Sequence, residues 1–318
     1  MTKRSRRFVA VDILLILMIV LPLLTGIALK VLCTPASEEA VHISGALIYY
    51  PFGEEAAKAA ADKVFSADLV ITEAQINAAL ILISIIGVCL YLTHGIKERP
   101  DTRRQLVAEW IVEKTQNMVV GTMGERFAGF TPFIATILAI SGFSSLSALL
   151  GIYAPTSDVN IIAGWAILVF ALITYYKCKG GVGIYLKGFL DPIPIFAPFN
   201  VVGELATPVS MTFRHYGNVM SGGVIAVLVA AALGGLSDLL LGWLPGFLGD
   251  IPFLQVGIPA VLSVYFDLFS GCLQAYIFAL LTMMYISGGF SLEDYEARMA
   301  KKAARREKRA AKRAAKRK

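Results

Sequence analysis

The amino-acid sequence predicts an all-α multi-pass membrane protein with about six transmembrane helices, including a long, strongly tilted C-terminal helical hairpin. The 318-residue chain is 57% hydrophobic and only 16% charged, whereas soluble domains are about 45–50% apolar and about 25% charged. Its mean hydropathy is +0.68. Six segments hold the ~20 mostly apolar residues that a helix needs to cross a bilayer. This composition excludes an ordinary soluble protein, a disordered chain, a coiled coil and a disulfide-stapled module.

The six predicted spans alternate with loops whose charge indicates their orientation. The spans cover about residues 8–32, 76–95, 131–153, 160–177, 199–235 and 255–289. Lysine and arginine are enriched in cytoplasmic loops, and they gather in residues 3–7, 96–130, 177–187 and 301–318. The other loops carry acidic residues or few charges. Both termini are therefore predicted to be cytoplasmic, and we expect the protein in a bacterial plasma membrane.

The first apolar run follows four basic residues, a pattern shared by signal peptides and signal anchors. Its core is longer than the usual signal-peptide core, and no clear small-residue cleavage site follows it. We therefore expect an uncleaved anchor helix over residues 1–33 and an extracytoplasmic segment over 34–74. Within that segment, residues 54–68 are rich in Ala, Glu and Lys, and they favour a solvated amphipathic helix over a partner contact.

The formal net charge of +6 comes from one end of the chain. Residues 301–318 hold eleven Lys and Arg and one acid, Glu307, a net of +10, so the rest of the chain is net −4. Basic residues near a membrane surface each gain about 1 kcal/mol from anionic lipids. We expect this tail, part of a cytoplasmic segment over residues 291–318, to bind lipid headgroups or to stay solvated. A soluble partner is a further alternative, and nucleic acid is not expected.

The four cysteines give no sign of a metal site or a disulfide framework. They are Cys33, Cys89, Cys178 and Cys272, and no Cys-x-x-Cys pair or Cys/His cluster occurs. No phosphate-binding Gly-x-x-x-x-Gly-Lys-Ser/Thr motif occurs either. The sequence therefore predicts no cofactor, no bound metal and no enzymatic activity of the chain by itself.

Residues 103–120 predict an amphipathic helix between the second and third spans. Apolar side chains, including Leu106, Trp110 and Ile111, recur at helical spacing with charges between them. Such a helix can lie on the cytoplasmic membrane interface. It can also pack on a partner or on the other helices, and packing is the interpretation that we favour from the pattern alone.

The last two apolar segments are longer than one crossing requires. At 1.5 Å per residue, 199–235 would extend ~55 Å and 255–289 ~50 Å, whereas the hydrocarbon core is ~30 Å thick. Either each helix is steeply tilted or each is broken, with Gly217, Gly222–Gly223 and Gly271 as candidate breaks. The Gly/Pro-rich residues 242–252 would join the two as an antiparallel hairpin.

Polar residues in these two segments recur at helical spacing. The first set is Asn200, Glu204, Thr207, Met211, Arg214, Asn218 and Ser221, and the second is Ser263, Asp267, Ser270 and Gln274. Steps of three and four residues place each set on one helical face. Ionisable residues inside membrane helices are costly and mark ion or substrate paths.

Arg214 is the arginine at the centre of the first polar face, and it leaves several roles open. A guanidinium stays charged even when buried, so it attracts carboxylates and repels cations. A permanent ion pair with Glu204 or Asp267 would explain it structurally. Two functional classes compete with an ion path: a stand-alone secondary transporter or anion channel with Arg214 as the substrate site, and a non-transporting membrane scaffold.

The motif around Arg214 resembles subunit a of the rotary F-type ATP synthase. Residues 204–218 read Glu-Leu-Ala-Thr-Pro-Val-Ser-Met-Thr-Phe-Arg-His-Tyr-Gly-Asn, similar to the family pattern E-L-S-R-P-x-S-L-x-x-R-L-F-G-N. Residues 154–160 resemble its P-P-T-A-D-L-N loop, and 273–278 with 285–287 resemble L-Q-A-F-I-F followed by Y-L-S. The resemblance covers about residues 70–290, so that 75–290 form the predicted subunit a core.

The resemblance implies an ion-translocating stator subunit with two proton half-channels to a rotating ring of c subunits, the c-ring. Arg214 would face the ring carboxylate, with Gln274 as its neighbour. Glu204 and Asn200 would line the cytoplasmic half-channel. Asn218, Asp267 and Ser270 would lie toward the outer one. The implied partners are the c-ring, the peripheral stalk subunit b, and protons or Na⁺ as the transported ion.

Three departures from the family pattern affect the predicted proton relay. His215-Tyr216 replaces the usual Leu-Phe, and because His215 points off the polar face we favour packing over proton relay for it. Gly223 stands where many members carry an ionisable residue, so Asp267 at the partner position is the expected relay group. Asn200 stands where many members have a carboxylate.

Overall fold

The computed structural model describes residues 3–33, 48–49, 71–98, 102–190, 193–241, 257–258, 261–262, 264–289, 296 and 299–302. The helices are α1 Lys3–Cys33, α2 Glu73–Thr93, α3 Arg103–Met123, α4 Thr131–Leu149, α5 Val159–Gly188, α6 Ala197–Leu241, the π-helix Val264–Ser270 and α7 Gly271–Gly288. Short 3₁₀ helices cover Glu125–Phe130, Pro155–Ser157 and Pro194–Phe196. The strands β1 Ile48–Tyr49 and β2 Ile71–Thr72 pair antiparallel. The predicted linker 242–252 and most of the segment 34–74 and of the tail lie outside the described residues.

Six of these helical stretches are long and apolar enough to cross a membrane. They are Val9–Leu32, Glu73–Thr93, Glu125–Leu149, Val159–Gly188, Pro194–Leu240 and Val264–Gly288. The predicted all-α multi-pass membrane fold with six spans is therefore confirmed, with some bounds moved. The fourth span extends to Gly188 rather than to residue 177, and it carries a kink at Gly181, whose φ of 150° favours glycine.

Helix boundaries follow local capping chemistry. The N–H of Gln75 donates to Thr72 Oγ1 and the N–H of Thr72 donates to Gln75 Oε1, both at 3.3 Å, a capping box that fixes the start of α2. Thr102 accepts from the N–H of Gln105 in the same way at the start of α3. Pro132 occupies the first turn of α4, where its missing N–H costs nothing.

The described residues form two compact units. The first comprises residues 1–162 and 213–279, and the second comprises residues 163–212 and 280–318. In the first unit, α1 packs along α2 through small side chains. Ser84 Oγ donates to the Ile19 carbonyl at 3.0 Å, and a Cβ on Gly87 would lie 3.0 Å from Ile19 Cγ1. Close approach over small residues is the usual way that membrane helices associate.

An ion cluster joins α1 to the start of α3. The guanidinium of Arg104 donates to Asp12 Oδ1 at 2.8 Å, and the ring of His94 lies 3.2 Å from the same oxygen. The hydrogen bond to Asp12 raises the pKa of Arg104, and desolvation offsets part of that rise. This cluster ties the helix that precedes the family-like region to the amphipathic helix.

Helix α3 exists as predicted, but it packs through a different stripe. Its buried residues are Gln105, Thr115, Val119 and Met123, whereas Trp110 is 59% exposed and Leu106 52%. These two side chains therefore do not pack against the described helices, whereas Val119 of the predicted stripe is fully buried; packing of the exposed part on a partner stays a prediction. The buried stripe includes polar residues because Gln105 satisfies its amide by donating to Lys97 O at 2.6 Å.

Candidate functional site

Arg214 lies on α6 with an exposed side chain. Met211 and Thr212 before it and His215 after it are buried, so Arg214 and its neighbour Phe213 form the exposed side of this turn. Within the described residues of its own unit, the guanidinium makes no ion pair with Asp267 and no hydrogen bond. The permanent ion pair between Arg214 and Asp267, one of the structural alternatives that the sequence left open, is therefore absent from the described residues of this unit.

His215 anchors α6 against α7. Its ring is 2% exposed, and it meets the ring of Phe278 edge-on, with centroids 5.6 Å apart and planes at 88°. Edge-to-face pairs of this kind add to the energy of burial. This burial favours the packing role for His215.

Two further contacts fix the register of α6 against the π-helix and α7. Asn218 Nδ2 donates to Ser270 Oγ at 2.8 Å, and a Cβ on Gly222 would lie 3.1 Å from Phe266 Cβ. As the α6 residue number rises from His215 through Gly222, the partner number falls from Phe278 to Phe266. The two segments therefore run antiparallel in this unit, as the predicted hairpin requires.

Asp267 and Ser270 lie in a π-helix that ends at Ser270, directly before α7 begins at Gly271. Short π-helical segments are rare in proteins and are frequently found at functional sites. The predicted single polar face of Ser263, Asp267, Ser270 and Gln274 assumed α-helical spacing throughout, and that assumption is wrong because the wider π-turns change the register before Gln274. Ser263 itself lies outside the described residues. Of the candidate helix breaks, only Gly271 marks a change, since α6 continues through Gly217 and Gly222–Gly223.

A close contact with α4 holds this junction in place. A Cβ on Gly271 would overlap Ser145 Oγ and lie 2.7 Å from Ser145 Cβ. Only glycine leaves room for the buried serine, whose own hydroxyl donates to the Ser141 carbonyl at 3.1 Å. The transition from π-helix to α-helix is therefore positioned by side-chain volume at one residue.

Gln274 lies on α7, one turn before Phe278, and is 6% exposed. Its amide makes no hydrogen bond to another described residue of its unit. The predicted neighbours Arg214 and Gln274 thus share a unit, one exposed and one buried, without a hydrogen bond between them. The amide of Gln274 therefore has donor and acceptor capacity left over.

In the second unit, Glu204 is paired with a lysine that the sequence did not single out. Lys177 Nζ lies 2.6 Å from Glu204 Oε1 and 2.7 Å from Oε2. The predicted pathway residue Asn200 donates to the Phe189 carbonyl at 2.9 Å. In the sequence, Lys177 stands out only as one of several basic residues that mark a cytoplasmic loop. Its pairing could not be read there because the partners are 27 residues apart on different helices.

Two pockets meet at this ion pair. One of about 190 Å³ is lined by Ile173, Thr207 and Tyr285, and one of about 440 Å³ by Tyr185, Phe199 and Asn200. Lys177 and Glu204 line both. Each volume is large enough for several water molecules, and polar groups face into each. Among the described residues, no group of three or more His, Cys, Asp or Glu side chains is placed to hold a metal ion.

Comparison with known proteins decides the family. Residues 76–287 match the family described as ATP synthase A chain. The chain belongs to this family. The matched range agrees with the range over which the motif resemblance was seen, and it contains Arg214, Gln274 and the other candidate site residues. As an A chain, the protein is a membrane-sector component of an ATP synthase and not its catalytic subunit.

The individual proteins that the chain resembles are also each named as a subunit a of an ATP synthase. The chain is 30% identical over 216 residues to ATP synthase subunit a 1 of Crocosphaera subtropica, covering 67% of this chain and 84% of that protein. It is 33% identical over 233 residues to ATP synthase subunit a of Trichlorobacter lovleyi, covering 70% and 90%. It is also 33% identical over 167 residues to a subunit a of Propionigenium modestum named as sodium ion specific, covering 51% and 50%. These relationships support the ion-translocating stator subunit and do not favour the stand-alone transporter or the scaffold.

Proposed function

We propose that this A chain provides two half-channels to a c-ring, with Arg214 facing the ring carboxylate. The observation that carries the proposal is the exposed guanidinium of Arg214 on α6, which makes no hydrogen bond or ion pair to another described residue of its unit. A permanent cation inside an apolar segment is costly unless a charge from outside the chain compensates it. A ring carboxylate supplies that charge each time it passes, and the cation keeps protons from passing directly between the half-channels.

The residues around Arg214 have different roles in this proposal. Glu204 and Asn200, beside the two pockets, line the cytoplasmic half-channel. Asn218, Asp267 and Ser270 lie toward the outer half-channel, where Asp267 is the relay group. Gln274 supports the ring contact with its free amide capacity. Protons are the transported ion of this proposal, and a dependence of ATP synthesis on Na⁺ at fixed pH would replace them with sodium.

The proposal extends to partners and placement. The chain assembles with the c-ring and with the peripheral stalk subunit b, in a bacterial plasma membrane with both termini in the cytoplasm. The +10 charge of residues 301–318 then lies near the anionic inner leaflet and binds its headgroups.

The experiment is ATP synthesis driven by an imposed proton gradient in membranes containing Arg214→Lys. Lysine keeps the charge but lacks the planar guanidinium and holds its charge less securely when desolvated. We expect synthesis to be lost while assembly with the other subunits is retained, and Arg103→Lys at the exposed start of α3 serves as the control. Normal synthesis in Arg214→Lys would overturn the proposal.

A further inference from the structure

The ion pair of Lys177 and Glu204 is built as a closed two-point contact. The ammonium lies within hydrogen-bond distance of both carboxylate oxygens, at 2.6 and 2.7 Å. The side chains are 25% and 18% exposed, so water screens the pair only in part. Charge-assisted hydrogen bonds of this kind are short and strong, and opening one leaves a poorly solvated charge on each side.

The pair lies where two pockets share a wall. Both pockets are lined by Lys177 and Glu204, and each adds its own residues beyond them. The smaller pocket has Thr207 and Tyr285 beside the pair, and the larger one has Asn200 and Tyr185. A proton that moves between waters in the two pockets therefore meets the paired carboxylate.

The surroundings hold the lysine side chain in this position. Its ammonium lies 5.8 Å from the centroid of the Tyr185 ring, within the range of a cation–π contact. The aliphatic part of the side chain passes close to Gly289, where a Cβ would lie 3.0 Å from Lys177 Cγ and 3.2 Å from Cε. A Cβ there would also lie 3.1 Å from the Tyr285 carbonyl oxygen, so a larger residue at Gly289 would crowd the lysine side chain against this backbone.

We propose that Lys177 is the positioning residue of an electrostatic gate that Glu204 closes between the two pockets of one half-channel. This inference rests on the proposed function. With the pair closed, the ammonium repels an arriving hydronium ion and occupies both carboxylate oxygens. When the pair opens, a hydronium ion in one pocket gives a proton to the Glu204 carboxylate and is left as water. The proton then leaves to a water in the other pocket, the pair closes again, and Lys177 keeps its own protons throughout.

The test measures passive proton uptake, under an imposed potential, by membrane vesicles that carry the whole membrane sector and have been stripped of the catalytic sector. We expect Lys177→Met to raise the rate about threefold or more, in line with couplings between contacting charges. Lys177→Arg keeps the charge and should stay within about twofold of the parent rate. Like Lys177, Lys179 has its ammonium close to a tyrosine ring, 5.3 Å from the centroid of Tyr176. Lys179→Met is therefore the matched control.

A second background separates a gate from a general structural effect. In Glu204→Gln vesicles the gate has lost its carboxylate, so adding Lys177→Met should leave the rate unchanged. An equal effect of Lys177→Met in both backgrounds, or no effect in either, overturns the gate. If Lys177→Met fails to assemble, Gly289→Ala is the second variant, because its Cβ crowds the same lysine side chain. Its control is Gly183→Ala, where a Cβ meets nothing within 4 Å. An equal effect of Gly289→Ala in the parent and Glu204→Gln backgrounds, or no effect in either, again overturns the gate.

The outcome for the gate is distinct from that for the proposed function. Arg214→Lys tests the ring contact, and Lys177→Met tests the passage between the pockets. Loss of ATP synthesis in Arg214→Lys with an unchanged rate in Lys177→Met overturns the gate alone. Normal synthesis in Arg214→Lys overturns the proposed function that the gate serves.

Discussion

The side-chain amide of Asn218 donates a 2.8 Å hydrogen bond to the hydroxyl of Ser270, joining the long helix α6 to the last residue of the π-helix. A weaker contact of 3.4 Å reaches the Ser270 carbonyl. Asn218 lies one helical turn beyond Arg214, and Ser270 lies one residue before the start of α7. The bond therefore sets the position of the arginine-bearing turn against the segment that carries Asp267.

Removing either partner of this hydrogen bond should lower the stability of the unit by a modest amount, and the two losses should overlap. Asn218→Ala and Ser270→Ala should each lower the free energy of unfolding by about 0.5–1.5 kcal/mol. The double variant should cost little more than one single variant, because both changes remove the same interaction. Chemical unfolding of the detergent-solubilised protein measures this, and fully additive losses would show that the bond does not form.

The contact between Gly271 and Ser145 predicts how the protein responds to a larger side chain at position 271. Gly271→Ala forces a methyl group into the Ser145 side chain, and such overpacking costs about 1–3 kcal/mol. Ser145→Gly in the same protein removes the obstacle and should restore most of the loss, whereas Gly223→Ala, with open space around it, should be tolerated. The midpoint of thermal unfolding measures all three, and a Gly271→Ala protein that Ser145→Gly does not rescue would contradict the packing account.

The cluster of Asp12, Arg104 and His94 should make a small contribution that barely changes with pH. The pKa of Arg104 is raised by its hydrogen bond to Asp12. A raised pKa stabilises the fold below the unfolded value and is lost only when pH rises through the folded one, which for arginine is strongly alkaline. We therefore expect Arg104→Met to cost about 0.2–1 kcal/mol for this partly exposed pair, by the same amount at pH 7 and at pH 9. Thermal unfolding at both pH values measures it, and a cost that disappears at pH 9 would contradict the assignment.

The six spans could be predicted from sequence because burial in lipid requires long apolar runs whatever the tertiary contacts are. The polar face through Arg214 and Asn218 could also be predicted, since α6 is an uninterrupted α-helix of 45 residues and its spacing applies along the whole length. The family motif added specificity that spacing alone lacked, because a lone arginine in an apolar segment fits several functions.

The π-helix and the lysine–glutamate pair could not be predicted for two physical reasons. The residues of Val264–Ser270 have no composition that separates a π-turn from an α-turn, and the contact of Gly271 with Ser145 that accompanies it comes from another helix. Lys177 and Glu204 meet only through tertiary packing, and a lysine at the end of the predicted span 160–177 is already explained by membrane topology. The buried stripe of α3 could not be predicted for a related reason: it contains Gln105 and Thr115, whose hydrogen bonds make their burial acceptable.

The most direct test of the central claim uses vesicles that carry the assembled ATP synthase with Arg214→Ala. Their ATP-driven proton pumping is measured first, and their passive proton permeability is measured after the catalytic sector has been stripped. If the guanidinium separates two half-channels at the ring, its removal should abolish pumping while protons still cross, or cross faster, under an imposed potential. Restored pumping should require arginine at position 214. Vesicles that still pump normally with alanine at this position would contradict the account.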